Sequence, residues 1–163
     1  MSMEEMGYQN ANLVYALSSI GRLNKPRGGK LAVNTMAIAT LTYMALNTYD
    51  WPPTEKLRQA NLPCRYYTLG WRAIYDALGM GLLSQEQVSD ADIDVDAAIK
   101  ARERTAQTRI SQTWKYLQDQ KLIKCLQPAS LGKNAGYLLL LGTDEENREV
   151  EAYARECLGL SSC

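Results

Sequence analysis

With 163 residues, 46% of them hydrophobic, the chain has the length and apolar content of one domain with a real core. It contains no histidine, which removes the commonest general base near neutral pH and every Ser-His or Cys-His nucleophile pair. Basic and acidic side chains balance at 18 each, and the cysteines, Cys64, Cys125, Cys157 and Cys163, are spaced too widely for a zinc site, so no metal is expected.

The first ten residues carry Glu4 and Glu5 where a secretory signal needs positive charge ahead of an apolar run. A cytoplasmic protein with reduced thiols is expected. Residues 31–46 lean apolar, but Asn34, Thr35, Thr40 and Thr42 break the run and argue against a membrane span. Residues 10–20 place Leu13, Val14, Leu17 and Ile20 at helical spacing, with Gly21 as the stop. Residues 21–30, with Lys25, Pro26, Arg27, Gly28 and Gly29, read as a mobile basic connector. Its Gly28-Gly29-Lys30 lacks the spacing and the Ser/Thr of a phosphate-binding loop. A second, mostly buried helix is expected over 33–48 from Val33, Met36, Ala37, Leu41, Met44 and Ala45; it must end before Trp51-Pro52-Pro53. Residues 49–69 read as mixed loop with room for a short helix over 54–60.

A helix over 70–79 keeps Ile74, Ala77 and Leu78 on one face and stops at Gly79. Residues 81–91 read as a polar connection, and a longer helix follows over 96–120. Along it, Ile99, Ala106, Ile110, Thr113, Trp114 and Leu117 fall close to one stripe, while Arg104, Thr108, Arg109, Gln112 and Lys115 lie largely off it. Then the period changes. Residues 122–126 and 137–141 are strand-like around a Pro-, Ser-, Gly- and Asn-rich loop over 128–136, a hairpin with a basic tip. The chain closes with an acidic amphipathic helix over 144–159, capped by Thr143, with Val150, Tyr153, Ala154, Cys157 and Leu158 on its apolar side.

Neutrality hides segregation. Residues 1–89 carry +2, residues 90–99 carry −4 through Asp90, Asp92, Asp94 and Asp96, residues 100–133 carry +6, and residues 134–163 carry −4. A basic block over the long helix and the hairpin points to an anionic partner facing one surface.

The order of a helix, a shorter helix, a long helix and a hairpin with a glycine-rich basic tip resembles a winged helix-turn-helix. Residues 33–141 look like the winged-helix domains of bacterial plasmid and phage replication or regulatory proteins. The likeness rests on Tyr67-Thr68-Leu69-Gly70 with Ala77-Leu78-Gly79, on Ala106-Gln107-Thr108-Arg109-Ile110 with Leu117, on Lys121-Leu122-Ile123, and on Gly132-Lys133-Asn134-Ala135-Gly136-Tyr137. The resemblance implies a mainly α fold with a small β-hairpin wing (α+β) and an extra helix at each end. Residues 1–32 would be the first helix and its connector, 33–142 the winged-helix domain, and 143–163 the acidic helix packed on it. It implies double-stranded DNA as partner, in transcription regulation or in replication initiation of a mobile element. The third helix would lie in the major groove, with Arg109 forking onto guanine and Gln107 or Gln112 onto adenine. Thr108 would meet a base edge or a thymine methyl, Arg104 and Lys115 phosphates, and Lys133 and Asn134 an adjacent phosphate or the minor groove. Two features depart from the pattern: about 17 to 25 residues join the second and third helices where such folds place a few, and the family is often basic overall.

Three other readings compete. Asp92, Asp94, Asp96 and Glu103 match positions 1, 3, 5 and 12 of an EF-hand, but position 6 is Ala97 where the loop needs glycine; a helix start explains the same acids. Tyr66, Tyr67, Trp71 and Trp51-Pro52-Pro53 can serve as anchors of a protein-docking adaptor, or simply fill a core without phenylalanine. A homodimer through a terminal helix would suit a two-fold DNA site. Catalysis is not expected, because the acidic ladder over 90–96 is too local to build a metal-dependent nuclease and no cofactor motif is present.

Overall fold

The computed structural model describes residues 6–161; Glu4, Glu5 and Cys163 lie outside the described residues. Helix α1 (Tyr8–Ser19) begins two residues before the apolar spacing suggested and packs Ala11, Val14 and Leu17 against α2 (Thr35–Leu46). Close approach of the two helices needs a small residue at Gly7, where a Cβ would overlap the Ala45 carbonyl oxygen. Helix α2 starts where the Asn34 side chain accepts a hydrogen bond from the Ala37 N–H at 3.1 Å.

Between them the expected mobile connector is instead an ordered hairpin, β1 (Asn24–Arg27) paired antiparallel with β2 (Lys30–Val33). The physical reason is Gly28-Gly29. Both sit at positive φ, 57° and 78°, as a two-residue type I′ turn requires. Its base is fixed by the buried Leu23, by the Asn34 N–H donating to Leu23 O at 2.8 Å, and by the Tyr116 hydroxyl donating to Asn24 O at 2.7 Å.

After α2, a one-turn helix α3 (Glu55–Gln59) is capped by Thr54. Next come a two-residue strand β3 (Tyr66–Tyr67) and α4 (Gly70–Ala77). The long connection that follows is partly helical: α5 (Gln85–Ser89) starts with a reciprocal Ser84–Gln87 capping box, and five residues separate its end from α6 (Val95–Asp119). Asp94 caps α6 by accepting from the Ala97 N–H at 3.1 Å, and Asp90 accepts from the Asp92 N–H at 2.9 Å. Strands β4 (Ile123–Gln127) and β5 (Gly136–Leu139) follow, then α7 (Asp144–Leu158), capped by Thr143 and ended by Gly159 in the left-handed region. The fold is thus mixed α+β, mainly helical, with a small three-stranded antiparallel sheet in the order β3-β5-β4 beside the separate hairpin.

Alternation along the strands gives this sheet two covered faces. Tyr67, Ile123, Leu139 and Leu141 join the main core, with α1, α2, α4 and the buried Ala106, Ile110 and Leu117 of α6. Leu138, with Leu126 and Leu140 beside it, meets Val150 and Ala154 of α7. On that second face Lys124 reaches Glu151 at 3.0 Å, and Glu151 also accepts from Arg155 Nε at 2.8 Å. The basic α6 and the acidic α7 therefore lie on opposite sides of one sheet. From residues 6–32, Ala11, Val14, Leu17 and Leu23 belong to the same main core.

Candidate nucleic-acid interface

Helix α6 presents the largest array of exposed polar side chains on one regular element. Residues advance about 100° each around a helix axis. Arg104, Thr108, Ser111 and Lys115 thus fall within about 60° of one another, and they point away from the buried Ala106, Ile110, Thr113 and Leu117. All four are exposed and form the crest of the helix. The Thr108 hydroxyl donates back to Arg104 O at 3.0 Å, and the side chain is otherwise exposed.

The two flanks differ. On one, Gln107, Ser111 and Gln118 share a groove of about 330 Å³ with Asn134 and Ala135 from the β4–β5 loop. Trp114 fixes this side, its ring 4.9 Å from that of Tyr137 and its Nε1 donating to Met44 Sδ at 3.3 Å. On the other flank, Arg109 and Gln112 share a groove of about 230 Å³ with Lys25 of β1 and with Asn34 and Tyr116. A hairpin borders each long side of α6. Beyond, the N-terminal half of α6 extends past the core, tied down by Arg72–Glu103 at 3.1 Å.

The β4–β5 loop is shaped by a tight turn in which Ser130 and Lys133 exchange backbone hydrogen bonds of 3.1 and 2.9 Å around Leu131 and Gly132, with Gly132 at φ 75°. Lys133 is exposed beside this turn. Asn134 is held: its Nδ2 donates to Thr68 O at 3.2 Å, and its side chain fills the space a Cβ on Gly70 would need. Gly70, at φ 76°, is the first residue of α4, so one contact sets the loop against the helix before α6.

All eight residues singled out from the sequence, Arg104, Gln107, Thr108, Arg109, Gln112, Lys115, Lys133 and Asn134, are exposed, the first six on α6 and the last two in the β4–β5 loop beside it. Asn134 differs in spending a donor on Thr68. Their division of labour shifts, because Arg104 and Lys115 stand on the crest while Arg109 stands on the flank next to the hairpin. Ser111 was missed, although its spacing of three from Thr108 and four from Lys115 already puts it on their stripe. Of the aromatic residues considered as docking anchors, Tyr67 is fully buried, whereas Tyr66, Trp71 and Trp51 are half-buried, Trp71 lining the groove with Gln107 and Asn134 and Trp51 packing on Tyr153 of α7 at 5.9 Å. Of the described helices, none is long and apolar enough to cross a membrane. Compared with family models, curated proteins and solved structures, the chain finds no match, and its reading rests on its own residues.

Proposed function

We propose that the chain is a non-enzymatic winged-helix protein that binds double-stranded DNA, in transcription regulation or in replication initiation of a mobile element. In this reading α2, α4 and α6 are its three helices, β3, β4 and β5 its sheet, and the β4–β5 loop its wing. What carries the reading is the crest of α6: two cations and two small hydroxyl residues on one exposed stripe, with Lys133 at a loop tip beside it. The element order and the β3-β5-β4 sheet support it, because they set a helix and a loop side by side on one surface. The 25 residues of α6 span about 37 Å. The major groove, about 12 Å wide, admits such a helix and displays a distinct donor and acceptor pattern for each base pair.

The geometry favours Arg104, Thr108 and Ser111 at base edges. Arg104 forks onto guanine, and the exposed Thr108 suits a base edge or a thymine methyl. Lys115 and Lys133 meet phosphates, Gln107 and Gln112 reach bases from the flanks, and Asn134 positions the wing. The acidic α7, behind the sheet, keeps its charge off this surface.

The test is fluorescence anisotropy of duplex DNA titrated with wild type and with an Arg104→Ala, Lys115→Ala, Lys133→Ala variant at low and moderate salt. Wild type should bind with a steep salt dependence, and the variant should lose about 0.9 in log–log slope for each phosphate contact removed. No binding by wild type at low salt refutes the reading. It would favour the second one, a protein-docking adaptor, for which the exposed Leu82 and Val88 flanking and within α5 speak.

A further inference from the structure

The β1–β2 hairpin is a second cationic arm that the α6 reading leaves unused. Register pairs Lys25 with Ala32 and Arg27 with Lys30. Cross-strand partners share a face and residues two apart along a strand share a face, so Lys25, Arg27 and Lys30 all project from the same side. Pro26, Leu31 and Val33 take the other. All three cations are exposed, and none has an ion pair among the described residues. Two like charges directly opposite each other, Arg27 and Lys30, cost stability in a hairpin unless an anion offsets them.

Placement fits an anionic ligand laid along α6. Lys25 lines the same groove as Arg109 and Gln112, so the cationic side of the hairpin is turned toward the exposed flank of the helix. The arm is held at its base by the Tyr116 hydroxyl on Asn24 O, from α6 itself, and by Arg22 Nη2 donating to Gln120 O at 3.1 Å. At its tip, a Cβ on Gly28 or Gly29 would meet nothing within 4 Å, so the turn stands clear of the body. A rigid base and a free cationic tip suit a contact with a charged backbone outside the protein, and strands of four residues reach about 13 Å.

We propose that Lys25, Arg27 and Lys30 bind the phosphate backbone of duplex DNA on the side of α6 opposite the β4–β5 loop, so that two hairpins straddle the groove that α6 enters. This rests on the DNA reading of α6 and adds a sequence-independent contact to it. Arg109 and Gln112, between crest and arm, then face the base pairs next to the clamped phosphates.

The experiment measures duplex binding against salt for wild type, a Lys25→Gln, Arg27→Gln, Lys30→Gln variant, and a Lys25→Arg, Arg27→Lys, Lys30→Arg variant that keeps the charge, each checked for folding by thermal melting. The neutral variant should lose about 2 to 3 in log–log slope, so that raising salt from about 50 to about 200 mM weakens it about 40-fold less than wild type. The charge-keeping variant should retain the wild-type slope. An unchanged slope in the neutral variant, while the α6 variant is weakened, overturns the arm and leaves the α6 reading standing. Equal loss in both hairpin variants overturns it too, because the effect then follows hairpin shape and not charge. If wild type does not bind duplex DNA, both proposals fall together.

Discussion

Replacing Asn10 with alanine is expected to destabilise the protein by about 3 kcal/mol, although the residue lies far from the α6 crest. Asn10 is fully buried in the first turn of α1. Its Nδ2 donates to Thr48 Oγ1 at 3.0 Å and to Tyr49 O at 2.8 Å, and its Oδ1 accepts from Arg65 Nε at 2.9 Å. Two of the partners survive truncation well, because Thr48 Oγ1 still donates to Ala45 O and Tyr49 O still accepts from the Arg65 N–H. Arg65 does not. It is 2% exposed, and its Nη1 lies 3.4 Å from Glu146 Oε2 without hydrogen-bond geometry, so the Nε bond to Asn10 is its main side-chain anchor. A buried cationic donor left without a partner costs about 1–3 kcal/mol, and each of the other two bonds adds about 0.5–1. Against a total stability of roughly 5–15 kcal/mol this is a large fraction, worth about 10 °C in Tm. Urea unfolding followed by tryptophan fluorescence measures it, with Asn12→Ala, exposed on the same helix, as the control expected within about 0.5 kcal/mol of wild type. If Asn10→Ala costs less than about 1 kcal/mol, or no more than the control, the network does not hold α1 in place.

Glu151 gives the fold an acid-sensitive seam. Burial raises its pKa, but hydrogen bonds from Arg155 and Lys124 outweigh this and hold it below the usual glutamate range. A depressed folded-state pKa contributes stability that is present above the ordinary value near 4.5 and is lost as pH falls through the folded one. Glu151→Gln should therefore be less stable than wild type at pH 7, and the gap should narrow as pH falls below the ordinary value near 4.5; a gap that does not shrink on acidification refutes the assignment. Among the thiols, burial pushes Cys64 up to about 12, whereas Cys125 is exposed on β4. A thiol reagent at about pH 8 should modify Cys125 in the native protein and Cys64 only on unfolding; peptide mass spectrometry showing equal rates would contradict the buried site.

The long helix was legible because its signal is local and repeated. Ala106, Ile110, Thr113 and Leu117 recur at helical spacing, and the polar residues between them fall where they do for the same reason. Caps were equally readable: Thr143 with Glu146 starts α7, and Gly159 ends it. Ser84-x-x-Gln87 carried the same kind of signal for α5, but the surrounding polarity masked it. Strand β3 could not be read. Two tyrosines become a strand only because Tyr137 and Leu138 lie alongside them some 70 residues later, and no local period encodes that pairing. Arg65, at φ 53° and buried, is illegible in the same way, since arginine normally marks surface and only the distant Asn10 and Glu146 explain it. The β1–β2 hairpin fell between these cases: Gly28-Gly29 and the alternation of Leu31 and Val33 favour it, yet four-residue strands are too short to outweigh a glycine- and proline-rich composition.

Charge is where chain order and fold do the most together. A neutral chain binds a polyanion poorly if its charges are mixed evenly over its surface, because each cation is screened by a neighbouring acid. Here the acids of residues 144–158 are carried on α7, which seals the Leu138 face of the sheet, while Tyr137 and Leu139 turn the other face toward the core beneath α6. Of the basic block, Lys124 alternates onto the α7 face and is neutralised there by Glu151. Arg104 and Lys115 stay on the α6 crest, with Lys25, Arg27 and Lys30 on the arm beside it. The sheet therefore acts as a partition for the charges beside it: its period of two sends Lys124 to the acids of α7, while Arg104, Lys115 and the arm cations lie on the α6 side, where the four acids of residues 90–96 also stand at the start of the helix.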